Sequence, residues 1–347
     1  TDMINPENMG SFVHSWHFFK QMKKHFTLIV IALMMISCAG EYNKQQQGSL
    51  SEIVDPASLR IAYNVYYSDS TTKENYEIFI VNLNGENPLN ITKNPAMEWT
   101  YMTIGETIYF VSDRDTCERC VFLYAMDFEG KNVRRITDFM LSDSWMSSRN
   151  NGKEIILKPK SGSSFYIINT EGNIKTEIPI ALPYFNDPAF SPDGDQIVFR
   201  GANRKSKQEP DFVDELYLMD SDGRNLRKIT SYPDYDKTAP WFAYKSGPPK
   251  WHPSGDFISY QSFQKGRYAL YAVSPDGKEH RELTEVDFQE GYHDWSSDGQ
   301  WLALELFDRK KENYFIGLLN WDSKEMTVVS PSKFNYEQAP VFLDISK

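Results

Sequence analysis

Phe190-Ser191-Pro192-Asp193-Gly194-Asp195-Gln196-Ile197-Val198-Phe199, followed after a loop by Leu216-Tyr217-Leu218-Met219-Asp220-Ser221-Asp222-Gly223 and Leu226-Arg227-Lys228-Ile229-Thr230, decides the fold. Apolar runs break at Asp-Gly pairs, the pattern of short strands joined by tight turns in which glycine supplies the positive φ. Related copies run along the chain. A four-stranded unit repeated about every 40 to 50 residues is the signature of a β-propeller blade.

The turn glycines between third and fourth strands fall at Gly85, Gly130, Gly172, Gly223 and Gly277, spaced by 45, 42, 51 and 54 residues. A sixth unit turns through Asn320-Trp321-Asp322-Ser323 instead. Fourth strands end alike at Ile91-Thr92, Ile136-Thr137, Ile229-Thr230 and Leu283-Thr284, while the third unit departs at Ile178-Pro179. Inner strands with their turns recur as Tyr101 to Gly105, Ser148 to Gly152, Phe190 to Gly194, Trp251 to Gly255 and Trp295 to Gly299, which makes five for six units. The first unit begins at its second strand, Leu59 to Val65, and a lone inner-strand sequence, Ala339-Pro340-Val341-Phe342-Leu343, lies near the C-terminus. An open ring exposes unpaired edges. The expectation is therefore an all-β, six-bladed propeller of four-stranded antiparallel blades over residues 55–347, its ring closed by the C-terminal inner strand. The alternative is that Ser51 to Val54 supplies that strand.

From Leu59 to Lys347 the repeats resemble the Tol-B-like propeller family, whose pattern is Pro-x-aromatic-Ser-Pro-Asp-Gly, then Ile-Ala-Phe, Ile-Tyr-x-Met-Asp-x-Asp-Gly and Arg-Leu-Thr. Trp251-His252-Pro253-Ser254-Gly255 and Trp295-Ser296-Ser297-Asp298-Gly299 keep the form, and the first three units are degenerate. The resemblance implies the propeller. It does not imply an activity.

Met22-Lys23-Lys24-His25, the apolar run Phe26 to Ile36 and Ser37-Cys38-Ala39-Gly40 have the basic, apolar, small-residue order of a secretory signal. The run is shorter than the ~20 residues a membrane span needs. Cys38 after Met35-Ile36-Ser37 resembles a bacterial lipobox, which implies lipidation there, although Met35 departs from the usual leucine. A plain cleaved signal is the alternative. Residues 1–21 are read as an over-extended gene start, 22–37 as the signal and 38–54 as a lipidated tether. The expected location is thus the bacterial cell envelope, lipid-anchored, periplasmic or surface-exposed.

The formal charge of −11 gives no electrostatic reason to bind nucleic acid, and a monomer is expected. Cys117-Glu118-Arg119-Cys120 falls in a loop of the second unit, and outside the cytoplasm such a pair most often forms a disulfide. Free thiols and a redox or metal role are the other readings. No Gly-x-Ser-x-Gly elbow is present, which argues against a serine hydrolase.

In a four-stranded meander, loops leading into the inner strands and loops joining strands two and three emerge on one face, and the Asp-Gly turns on the other. The first face takes the long loops Ser68 to Asn75, Ser112 to Cys120, Arg200 to Asp214, Ser231 to Pro249 and Asp308 to Asn313. Function concentrates on such loops. Residues just ahead of the inner strands should ring the channel mouth: Glu98 with Trp99, Trp145, Asp187, Tyr292 with His293, and Gln338, joined by Trp241, Phe242 and Tyr244. Aromatics flanked by polar groups suit a sugar or peptide pocket. The plain alternative is blade packing for the tryptophans and a solvated acidic rim for the acids. The basic cluster Arg200, Arg204, Lys205 and Lys207 could steer an anion, but Glu209, Asp211, Asp214 and Glu215 follow at once and make a mixed-charge loop.

Two functions remain. The leading expectation is a non-enzymatic module, without catalytic residues or cofactor, that binds an envelope protein or glycan through the long-loop face. The other is a metal-assisted carbohydrate-active enzyme resembling the oligogalacturonate lyases, with a divalent ion at the mouth near His293 and Gln338 and with Glu98 or Asp187 as further ligands.

Overall fold

The computed structural model describes residues 56–67, 75–209, 211–330, 334 and 336–345. The signal, the lipidation site Cys38, the tether and the Ser51 to Val54 alternative lie outside them. Within the described residues the chain forms six four-stranded antiparallel sheets, the blades of a propeller.

Blade 1 is built from both ends of that chain. Glu337–Asp344 is its inner strand and pairs with Leu59–Tyr67, in the register Ile61 to Phe342 and Val65 to Glu337. Neighbouring blades hold the strand as well. Ala339 N donates to Glu305 Oε2 at 3.0 Å, Phe342 N donates to Asp294 Oδ2 at 2.9 Å, and Thr103 Oγ1 donates to the Phe342 carbonyl. The ring closes as the lone C-terminal motif implied.

Apolar cores lie between neighbouring blades. Ile61 and Tyr63 pack with Ile316 and Leu318, Phe165 with Phe185 and Phe199, Leu216 with Ile258, and Leu270 with Leu302. Strand alternation gives every blade two such faces.

The repeated motifs have mechanical roles. In four blades the hydroxyl at the end of the fourth strand takes a backbone N–H of the third: Ile78 N to Thr92 at 3.0 Å, Leu123 N to Thr137 at 3.1 Å, Leu216 N to Thr230 at 2.8 Å and Ile316 N to Ser330 at 2.9 Å. The hydroxyl replaces ladder bonds, so most outer strands can be two or three residues long. Blade 3 lacks the hydroxyl at Ile178-Pro179 and extends its backbone pairing over Ile174–Pro179.

The Asp-Gly turns meet the Ile-Thr ends across blade boundaries. A Cβ on Gly130 would stand 2.1 Å from the Ile91 carbonyl oxygen, and one on Gly172 1.8 Å from that of Ile136. Glycine is therefore required twice over at these positions, by positive φ and by the neighbouring backbone. The inner-strand turns cap themselves. Ser191 Oγ donates to Asp193 Oδ1 at 2.6 Å and accepts Gln196 N at 2.9 Å, and Ser296 repeats this with Asp298 and Trp301.

Candidate functional site

Each of several inner strands carries a one-residue irregularity: between Thr100 and Met102, Asn186 and Ala189, Glu290 and His293, and opposite Ala62 and Asn64 in the closing strand. A bulge re-aims the side chains beside it. Asp187 and Ala339 hold positive φ at two of these sites. Of the residues expected just ahead of the inner strands, Glu98, Trp99, Asp187, Tyr292, His293 and Gln338 lie within them and Trp145 stands ahead of Ser147–Arg149, and their side chains diverge.

Trp145, Asp187 and Tyr292 come together. The Trp145 and Tyr292 rings are 5.4 Å apart although they belong to blades 3 and 6, opposite one another in the ring. Tyr101 packs on Trp145 at 5.2 Å, and the hydroxyls of Tyr244 and Tyr292 are 3.2 Å apart. Aromatic contacts thus cross the channel. Lys250 Nζ lies 4.6 Å from the Trp145 ring centre and is paired with Asp294 at 3.0 Å.

Asp187 is a buried link. Its Oδ2 accepts Arg200 Nη2 at 2.7 Å and Nε at 2.8 Å, and its Oδ1 accepts Trp145 N at 2.9 Å. Arg200 reaches on to Asp214 Oδ2 at 3.1 Å, and Asp214 Oδ1 accepts Lys245 N at 3.0 Å. Arg200 belongs to the second strand, Gln196–Ala202, rather than to the surface loop in which the sequence reading placed it. Its guanidinium sits over Tyr184 at 5.4 Å and Tyr244 at 4.7 Å.

The other predicted residues lie elsewhere. His293, expected at the mouth, is buried between blades 5 and 6, its Nε2 2.7 Å from Ser259 Oγ, which also accepts Trp295 Nε1 at 2.9 Å. Burial pushes its pKa down to about 3, so the ring is neutral. Glu98 is fully buried, and its Oε1 accepts Ser112 Oγ at 3.0 Å and Arg114 Nη2 at 2.8 Å; burial lifts its carboxyl to about 7. Gln338 is buried in the closing strand, where its Oε1 accepts the Tyr76 hydroxyl at 3.4 Å. Trp241 is half exposed on the long loop before blade 5, its ring against Phe242 at 5.7 Å. Cys117 and Cys120 form a disulfide in the loop of blade 2, their Cα atoms 5.1 Å apart.

Sequence reasoning missed Lys158, Arg200 and Glu305 as a set. Asn64, Lys158, Arg200, Gln261 and Glu305 each stand three residues after the inner-strand-paired Ile61, Ile155, Ile197, Ile258 and Leu302, in the second strand or, for Lys158, just past its end at Leu157. A polar residue six places after the inner-strand turn glycines Gly152, Gly194, Gly255 and Gly299 was the available signal. Burial lifts the Glu305 carboxyl to about 8. Among the described residues no three His, Cys, Asp or Glu side chains cluster so as to hold a metal ion.

A model of the TolB β-propeller domain matches residues 56–245. Among solved structures the chain is similar to TolB from Acinetobacter baumannii, with TM-score 0.62 and 16% identity, covering 83% of this chain and 67% of that one. It is similar to a putative TolB from Agrobacterium tumefaciens, with TM-score 0.55 and 14% identity over 78% of this chain and 89% of that one. It also resembles hydrazine synthase from Kuenenia stuttgartiensis, with TM-score 0.59 and 16% identity over 85% of this chain and 47% of that one. At such identities the likeness is one of fold. No curated protein matches the chain.

Proposed function

The chain belongs to the TolB β-propeller family, and from that premise we propose that it is a non-enzymatic binding module, displaying its long-loop face to a protein partner at the bacterial cell envelope and tethered there by a lipid on Cys38. One observation carries the reading: the carboxylates Asp187, Asp214, Asp294 and Glu98 at the long-loop end are committed to neighbouring cations. Asp187 and Asp214 share Arg200, Asp294 holds Lys250, and Glu98 holds Arg114. Rigid ion pairs and aromatic contacts across a channel suit a platform whose loops make the contacts. Trp241 stands on the loop best placed to do so, and a glycan stacking on it is the second reading.

The test is capture by crosslinking from native membranes. Trp241→Ala should cut partner recovery at least about tenfold, the loss typical of an interface anchor, with the melting temperature unchanged. Asp222→Lys, on the tight-turn face, should leave recovery intact. The opposite pattern would assign binding to the other face. Adding a chelator should change neither recovery nor melting, whereas an activity lost on chelation would favour the enzyme reading. Mass spectrometry of membrane-extracted protein should show a modified N-terminal Cys38, and Cys38→Ser should move the protein to the soluble fraction.

A further inference from the structure

Three cations and two rings alternate at the long-loop end of blades 3 to 5. Lys158 Nζ lies 5.9 Å from the Tyr184 ring centre and 4.7 Å from that of Phe185. Arg200 lies over both Tyr184 and Tyr244, at 5.4 and 4.7 Å, and Lys207 Nζ is 4.0 Å from the Tyr244 ring centre. The central cation is neutralised by Asp187 and Asp214. The two outer ones are not. Among the described residues neither lysine has a carboxylate within salt-bridge distance, and the oxygens of Asp187 and Asp214 are already taken by Arg200 and by the backbone N–H groups of Trp145 and Lys245.

We propose that Lys158 and Lys207, held on either side of the Arg200 ion pairs, each receive a carboxylate of a peptide partner, an Asp or Glu side chain or a chain terminus. The inference rests on the long-loop reading above and gives it a chemistry. Both lysines are partly buried, so their ammonium groups have surrendered part of their hydration. A cation–π contact offsets only part of that loss. An acceptor oxygen would make the charge-assisted hydrogen bonds that the protein leaves unmade. Burial also pulls each lysine down to about 8, a shift that a bound anion would reverse. On a chain of formal charge −11 the place stands out as a local exception to general repulsion of acidic ligands. A peptide is favoured over an acidic sugar because the rings on which a pyranose would stack already meet cations, Tyr244 those of Arg200 and Lys207 and Tyr184 those of Arg200 and Lys158.

The probe is a fluorescent six-residue peptide of alternating Glu and Gly, with its Gln-for-Glu counterpart and a galacturonic acid trimer as comparisons, added to the intact protein at pH 7. The acidic peptide should bind, weakening as salt rises, and the neutral peptide should not. Lys158→Gln and Lys207→Gln should each weaken binding at least about tenfold, while Lys207→Arg keeps it within about threefold. Should a variant fail to fold, the wild type still decides: with lysines 13C-dimethylated, two resonances that titrate below the bulk lysines must shift on adding the acidic peptide. Equal binding of the neutral peptide, unchanged binding in both Gln variants, or unmoved resonances would overturn the proposal, and binding of the trimer alone would overturn the choice of peptide. Envelope capture that needs Trp241 but neither lysine would sink this inference and leave the long-loop reading standing. Acidic-peptide binding through the lysines, with capture indifferent to every long-loop variant, would support the site and overturn the broader reading.

Discussion

His293 and Glu305 are both buried, and burial acts on them with opposite consequences for stability. Each is driven toward its neutral form. The histidine falls from 6.5 to about 3, so the unfolded chain takes up a proton that the folded chain refuses between those values. Its contribution is whole above pH 6.5 and drains as pH falls toward 3. The carboxyl of Glu305 rises from 4.5 to about 8, so the folded chain keeps a proton that the unfolded chain gives up. Its contribution is whole below pH 4.5 and is lost as pH climbs through 8. Urea denaturation of two variants separates these effects. Relative to wild type, Glu305→Gln should gain stability progressively between pH 4.5 and 8, by up to about 5 kcal/mol. His293→Gln should flatten the acid limb between pH 6.5 and 3, where the native group costs about 1 kcal/mol per pH unit. Parallel pH profiles in variant and wild type would show that the group in question is not the one titrating.

At the scale of strands and turns, the sequence was legible wherever a local motif had a local cause. Asp-Gly announced turns because φ there is positive, and Ile-Thr announced strand ends because a hydroxyl caps the third strand. What the letters could not show was where the inner strands bulge. One extra residue between Glu290 and His293 separates Tyr292, which reaches Trp145, from His293, which turns to Ser259 between two blades. Two neighbouring letters were thus read as one site. Lys158 escaped notice for another reason: it follows Gly152 by the same six residues that separate Gly194 from Arg200, but Leu157-Lys158 shares no motif with Phe199-Arg200. The turns carry their own prediction. Gly172→Ala, whose Cβ would meet a carbonyl oxygen at 1.8 Å, should lose about 3 kcal/mol or more from left-handed strain and overpacking together. Gly255→Ala has nothing within 4 Å and should lose only about 1 to 2 kcal/mol from its backbone angle. Equal losses in denaturant titrations would mean that the contact across blades contributes nothing. The Cys117–Cys120 disulfide belongs to this scale too: both thiols should resist alkylation until reduced, and immediate labelling would contradict the bond.

For the molecule as a whole, the decisive contact joins residues nearly three hundred positions apart, Ile61 and Phe342. Deleting residues 338–347 removes most of the inner strand of blade 1 together with its bonds to Glu305 and Asp294. The truncated chain should unfold earlier and over a broader range, with the loss of cooperativity visible as disagreement between calorimetric and van't Hoff enthalpies. A truncated chain that melts like the intact one would mean that the ring does not depend on its closure.

That closure also sets a timetable. A ribosome makes the inner strand of blade 1 after the other five blades, so the first blade stays a three-stranded sheet with a bare edge until Glu337–Asp344 has been made. Every earlier blade can assemble as it is made, but none of that assembly can be locked into a ring. A frameshift or stop ahead of Glu337 should therefore leave an unclosed ring with an adhesive edge, a clear mark for proteolysis. Glu337–Asp344 serves in this way as the molecule's own check that all six blades have been made.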